Sequence, residues 1–221
     1  LQQPAWRQQQ VALERSNQAI QTLERYRARL DVVSRKLSAL EVEDLVTVRH
    51  VVEVLQRAEM VVRISTEIEH NLIELGSDGR LVRLQLEELM VGVEDDRRLL
   101  ITDYLSPGSD LDVNSAMRAL AALDDDALFD DARLAKTLHL VSDDGELDTQ
   151  REAKGVRLLS KLPGMNEATV MRVVDHFGSL VKILGATAAE LEVVDGIGHG
   201  LAKALKDGTV RLAGDSIIDQ Y

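Results

Sequence analysis

Two short stretches of this chain repeat one pattern 32 residues apart: Leu162-Pro163-Gly164-Met165-Asn166 and Val194-Asp195-Gly196-Ile197-Gly198. Each reads apolar, turn-forming or small, Gly, apolar, then a residue expected to tolerate positive φ. Val170 and Val173 follow the first copy as Ala202 and Leu205 follow the second. The chemistry this suits is phosphate binding. Glycine lets the backbone turn sharply and lets another backbone come close. The apolar residue, Met165 or Ile197, is expected to plug into the core. The hairpin N–H groups and the next helix N-terminus then point outward, where fixed dipoles bind an anionic oxygen with few positive side chains. Lys161 and Lys203 are placed to add charge, and His199 to donate to a phosphate. Asp195 opposes contact at the second hairpin, since a carboxylate repels phosphate. Asn166 gives up some of glycine's freedom at the first. The second hairpin is expected to be the better binder. The plainer alternative is that both hairpins merely join helices; two copies in register weigh against it.

Elements must position these hairpins. Pro4 is the last Pro or Gly before Gly76, and the stretch between is rich in Glu, Arg, Leu, Gln and Ala. It predicts helix. Leu13, Ile20, Leu23, Leu30 and Leu37 form a heptad-like stripe; Val61, Ile64, Ile68, Leu72 and Leu75 form another. Ser38-Ala39-Leu40-Glu41 has capping-box spacing, which predicts helices over 5–36 and 39–75, with one continuous helix as the alternative. Gly76–Gly79 predicts a turn. A third helix carries Val82, Leu86, Leu89, Val93, Leu100 and Tyr104 on one face and ends at Ser106-Pro107-Gly108. Short helices are expected at Ala116–Leu123 and Leu128–Leu140, among the acidic clusters Asp124–Asp126, Asp130–Asp131 and Asp143–Asp144. Those clusters read as a solvated face with helix N-caps rather than a metal site. Thr149-Gln150-Arg151-Glu152 predicts a cap opening a helix to Leu162. Helices then follow from Asn166 to Phe177, after a Thr187–Glu190 cap, to Asp207, and from Thr209, with Gly178–Leu184 as a connector. The expected fold is all-α: an elongated helical linker bundle (1–108), an acidic helical connector (109–148), and a compact domain (149–221).

Composition narrows the function. Hydrophobic residues make up 45% and aromatics only 3%, so Leu, Val, Ile and Ala must fill the core. With no cysteine there is no disulfide and no thiolate metal site, which fits a reducing cytoplasm. No apolar run approaches a membrane span. The net charge of −12 argues against a generally nucleic-acid-binding surface. The imbalance is local, however. Residues 1–150 hold 17 Lys+Arg against 29 Asp+Glu, while residues 151–221 hold nine of each. The last seventy residues can approach a polyanion without a large net penalty. The five histidines, His50, His70, His139, His176 and His199, make no triad or metal spacing, and no Walker-type loop is present. No cofactor is expected for this chain.

The paired pattern resembles the tandem helix-hairpin-helix motif. A wider resemblance covers residues from about Val11 to Tyr221. LERYRARL (Leu23–Leu30), EVEDLVTVR (Glu41–Arg49), VLQRAEMVVRI (Val54–Ile64) and ELGSDGRLVRLQLEELM (Glu74–Met90) are similar to the linker region of the DNA integrity scanning proteins, the DisA-type diadenylate cyclases. That family ends in a paired helix-hairpin-helix domain. The resemblance implies a helical spine, and a tail that binds branched DNA such as recombination junctions. It also implies an N-terminal domain that condenses two ATP into cyclic di-AMP with a divalent metal, and synthesis suppressed when DNA binds. It implies a cytoplasmic, nucleoid-associated protein, octameric largely through the cyclase domains. The cyclase Asp-Gly-Ala and Arg-His-Arg motifs have no match; Asp78-Gly79-Arg80 and Arg49-His50-Val51 are no substitutes. The chain is expected to be the linker and DNA-sensing parts, without catalysis of its own.

Binding through phosphates positions a protein without reading sequence. Contact with roughly three or four phosphates gives a log–log salt slope of about −3 to −4. Two other readings compete. A helix-hairpin-helix repair glycosylase needs a catalytic Asp, and Asp175 is the nearest candidate, without the Lys that often follows the hairpin. An oligomerisation scaffold would pair the heptad stripes between chains rather than bury them within one.

Overall fold

The computed structural model describes residues 4–141 and 146–218, so the Asp143–Asp144 cluster and Tyr221 lie outside the described residues. Two long helices, α1 (Ala5–Val42) and α2 (Val48–Leu75), form a hairpin. Leu23, Leu30 and Leu37 of α1 and Val61, Ile68 and Leu72 of α2 are buried in one core. The stripes are therefore consumed inside the chain. After a 3-10 turn at Gly76–Gly79 come α3 (Arg80–Met90) and α4 (Val93–Tyr104). The expected single third helix breaks at Gly92, whose φ of 75° is left-handed and ends the ladder.

The break between α1 and α2 lies later than the spacing at Ser38 predicts. Ser38 Oγ donates to the Ser34 carbonyl, and Glu41 is buried rather than reaching back to a cap. The capping box is instead at Thr47, whose backbone N–H donates to His50 Nδ1 at 3.0 Å. Burial pushes the His50 pKa down, consistent with a neutral ring accepting that bond.

Helices α5 (Val113–Ala122), α6 (Asp125–Phe129) and α7 (Asp131–Thr137) pack Leu120, Leu128 and Leu134 onto the same core. The helix expected over Leu128–Leu140 is split because Asp130 leaves the helix to cap α7, accepting from the Arg133 N–H. Asp112 and Asp124 cap α5 and α6 likewise. Among the described residues, no group of three or more His, Asp or Glu is placed to hold a metal.

Thr149 caps no helix, since Gln150 makes an antiparallel bridge with Thr47. The helix starts only after Gly155, as α8 (Val156–Leu159). Then follow α9 (Glu167–Phe177), α10 (Leu180–Gly185), α11 (Ala188–Glu192) and α12 (His199–Ile218). The expected connector after Gly178 is thus helix α10. The Thr187–Glu190 capping box forms as its sequence predicts. Helix α12 continues through Gly208 where a break was expected. A Cβ at Gly208 would come within 2.9 Å of Leu162, so glycine here serves close packing, not termination.

A second core gathers α8–α12 around Val156, Leu159, Val173, Leu191, Ile197 and Leu205. Leu158 and Leu180, however, pack into the first core. Three ties join the two parts. Arg157 donates to Glu41 at 3.0 Å. Asp103 accepts the backbone N–H groups of Gly155, Val156 and Arg157. Lys154 donates to the Thr102 and Leu105 carbonyls. No helix among the described residues is long and apolar enough to cross a membrane.

Candidate nucleic-acid interface

The two hairpins share one local geometry. Gly164 has φ of 79° and Gly196 of 81°. The turn then closes with Met165 N–H on the Leu162 carbonyl and Ile197 N–H on the Val194 carbonyl. The left-handed position is therefore the first glycine of each pattern. Asn166 does not adopt it: its φ is −91°, and its side chain accepts the Thr169 N–H as the N-cap of α9. Asn stands there because it caps well, not because it tolerates positive φ. Gly198 likewise has no positive φ, and a Cβ there would meet open space.

The apolar plugs differ in depth. Ile197 is 4% exposed in the second core, while Met165 is half-buried at its edge. Burying Ile197 fixes the loop that presents Gly196 and Gly198, both exposed. The N–H groups of a first helical turn have no intrahelical acceptor. On α9, Asn166 takes one of these. On α12, Gly198 has no side chain to cap the turn, so its amides stay open at the surface.

The charged candidates are less uniform. Lys161 and Lys203 are exposed. His199 is 82% exposed, and its Nδ1 lies 2.6 Å from Glu192 Oε1. A neutral ring that gives its Nδ1 proton to Glu192 presents Nε2 as an acceptor; only the protonated ring donates outward. Glu192 thus joins Asp195 as a second carboxylate beside this hairpin.

One cation escapes sequence reasoning. The Arg172 guanidinium on α9 lies over the second hairpin, with Nη2 3.0 Å from where a Gly196 Cβ would stand. It also donates to Thr169 Oγ1. Conversely, Leu201 of α12 lies 3.6 Å from the equivalent point on Gly164. Each hairpin leans on the helix that follows the other. Arg172 falls six residues after Asn166, outside the repeated pattern, so no motif offset points to it. Asp175 is exposed on the same helix.

The arrangement has clear relatives. Residues 7–145 match the family described as the DisA bacterial checkpoint controller linker region, and residues 156–209 match the SAM-like helix-hairpin-helix tandem. The chain belongs to the DisA family. It is 48% identical over 210 residues to a DNA integrity scanning protein DisA of Frankia alni, covering 95% of this chain and 58% of that protein. The DisA of Kineococcus radiotolerans gives the same identity and coverage. That of Streptomyces coelicolor is 45% identical over 212 residues, covering 57% of its length. The chain thus spans somewhat more than half of these curated DisA relatives, as their linker and helix-hairpin-helix region.

Proposed function

We propose that residues 156–209 bind DNA through the phosphate backbone, without reading sequence, and that the second hairpin makes the firmer contact. The observation that carries this reading is the uncapped, exposed first turn of α12, held in place by buried Ile197. Gly164, Met165, Asn166 and Lys161 supply the first grip. Gly196, Ile197, Gly198, His199 and Lys203 supply the second. Arg172 offsets the carboxylates of Asp195 and Glu192. Two grips on one rigid unit engage two phosphate tracks at a fixed angle, which favours branched DNA over a straight duplex. On this reading the region works at the nucleoid, in the cytoplasm. In a full-length DisA, the same contact would control cyclic di-AMP synthesis, with ATP and a divalent metal held by the cyclase domain in an octamer.

The test compares a four-way junction, a duplex and a single strand of equal length at fixed salt. The junction is expected to bind tightest and the single strand weakest. Equal affinity for all three, or a log–log salt slope near zero, would sink the reading.

A further inference from the structure

Helix α3 is apolar on two opposite sides. Val82 and Leu86 are buried against α1 and α2, and Leu89 packs at the edge of the same core. Leu84 stands roughly 160° around the helix from both Val82 and Leu86. It is exposed, with Leu81 beside it and Val91 just past the helix end. Ile73 of α2, 75% exposed, shares with Val91 a groove of about 540 Å³, lined also by Leu72, Leu86 and Met90. A surface helix ordinarily keeps one apolar stripe and turns a polar face to water. The charges of α3 are inverted as well. The helix dipole favours acids in the first turn and bases in the last. Here Arg80 and Arg83 occupy the first turn, and Glu87 and Glu88 the last. All four are exposed, and none forms an ion pair among the described residues.

We propose that this face docks a second copy of the chain, with the two α3 helices packed antiparallel about a two-fold axis. Antiparallel packing brings the arginine end of each α3 to the glutamate end of the other, so both charge blocks are matched at once. A parallel pairing would set Arg against Arg and Glu against Glu. A face that carries its own complement in reverse order fits itself. The partner's acids also offset the dipole of the arginine end, and its arginines that of the glutamate end. Ile73, Leu81, Leu84 and Val91 supply the apolar area that the pairing removes from water. These are not the residues of the two long stripes on α1 and α2, which pack within the chain. The proposal does not rest on the DNA-binding reading.

The experiment is sedimentation equilibrium of the chain over a range of concentrations. Wild type is expected to dimerise at micromolar concentration, less tightly as salt is added. Leu84→Glu, an exposed change, weakens the dimer about tenfold or more with unchanged circular dichroism, because it buries a carboxylate in an apolar contact. Two charge-block variants test the pairing. One carries Arg80→Glu with Arg83→Glu, the other Glu87→Arg with Glu88→Arg. Each alone is expected to be monomeric, since like charges meet across the axis. An equimolar mixture of the two is expected to form a heterodimer, since each reversed block then meets its opposite. A monomeric wild type overturns the proposal and leaves the face to a different occupant. A dimer that survives Leu84→Glu, or a mixture that stays monomeric, overturns it equally.

Discussion

The Arg157 guanidinium donates to the Glu41 carboxylate at 3.0 Å, across 116 residues of chain and with both side chains nearly sealed from water. Tyr104 donates to the other oxygen of Glu41 at 2.8 Å. The helix-hairpin-helix unit is therefore bolted to the spine. Removing one partner of a buried pair leaves an uncompensated charge, at a cost of about 3–5 kcal/mol. Arg157→Met is expected to lower the denaturation midpoint strongly. Glu41→Leu with Arg157→Met should recover most of that loss, less the orphaned Tyr104 hydroxyl. Urea unfolding of the two variants decides; a double variant no better than the single one contradicts the pairing.

Asp103 gives a pH signature. Burial, and then the neighbouring Glu41, push its carboxyl up to about 7, although three backbone N–H groups and Arg157 pull the other way. Lys154 and Tyr104 also face it. The folded pKa lies above the unfolded value, so the folded state holds the proton more tightly. Its contribution is complete below about pH 4 and is lost as pH rises through about 7. The stability difference between wild type and Asp103→Asn should shrink from pH 5 to pH 8. A difference that stays constant over this interval would show that Asp103 is ionised throughout.

Gly196 and Gly198 make different demands. Gly196 needs its left-handed backbone, and a Cβ would also press on Arg172, so Gly196→Val should both destabilise the fold and weaken DNA binding. Gly198 faces open space at ordinary φ. Gly198→Val should keep the fold, with thermal unfolding little changed, while DNA affinity drops about tenfold or more. Unchanged affinity in a folded Gly198→Val protein would remove the α12 N-terminus from the interface.

Arg172→Ala should weaken DNA binding by a similar factor for all sequences and reduce the salt slope by about one. Filter binding at several salt concentrations measures both. A slope identical to wild type would mean that Arg172 only packs against the hairpin.

Much of this was readable in the chain because it is local. The hairpin repeat, the Thr187 capping box and the apolar stripes depend on spacings of two to seven residues. What escaped depends on distant partners. Glu41 has perfect capping-box spacing from Ser38, yet Tyr104 and Arg157 claim it, and α1 runs on. Gly208 reads as a helix stop, but Leu162 needs the missing Cβ. Asn166 occupies the glycine slot for the sake of its own side-chain oxygen. Arg172 carries no motif and acquires meaning only when α9 is laid across the second hairpin.

Helix α12 begins at the second hairpin, and Leu212, about two-thirds of the way along it, packs against the first core beside α1. One unbroken rod thus has its tip at the proposed DNA contact and its flank on the spine. A glycine that ended this helix at 208 would have made a joint. By letting Leu162 nestle against it instead, Gly208 makes a lever arm, a single stiff link that carries the second hairpin on the flank of α1.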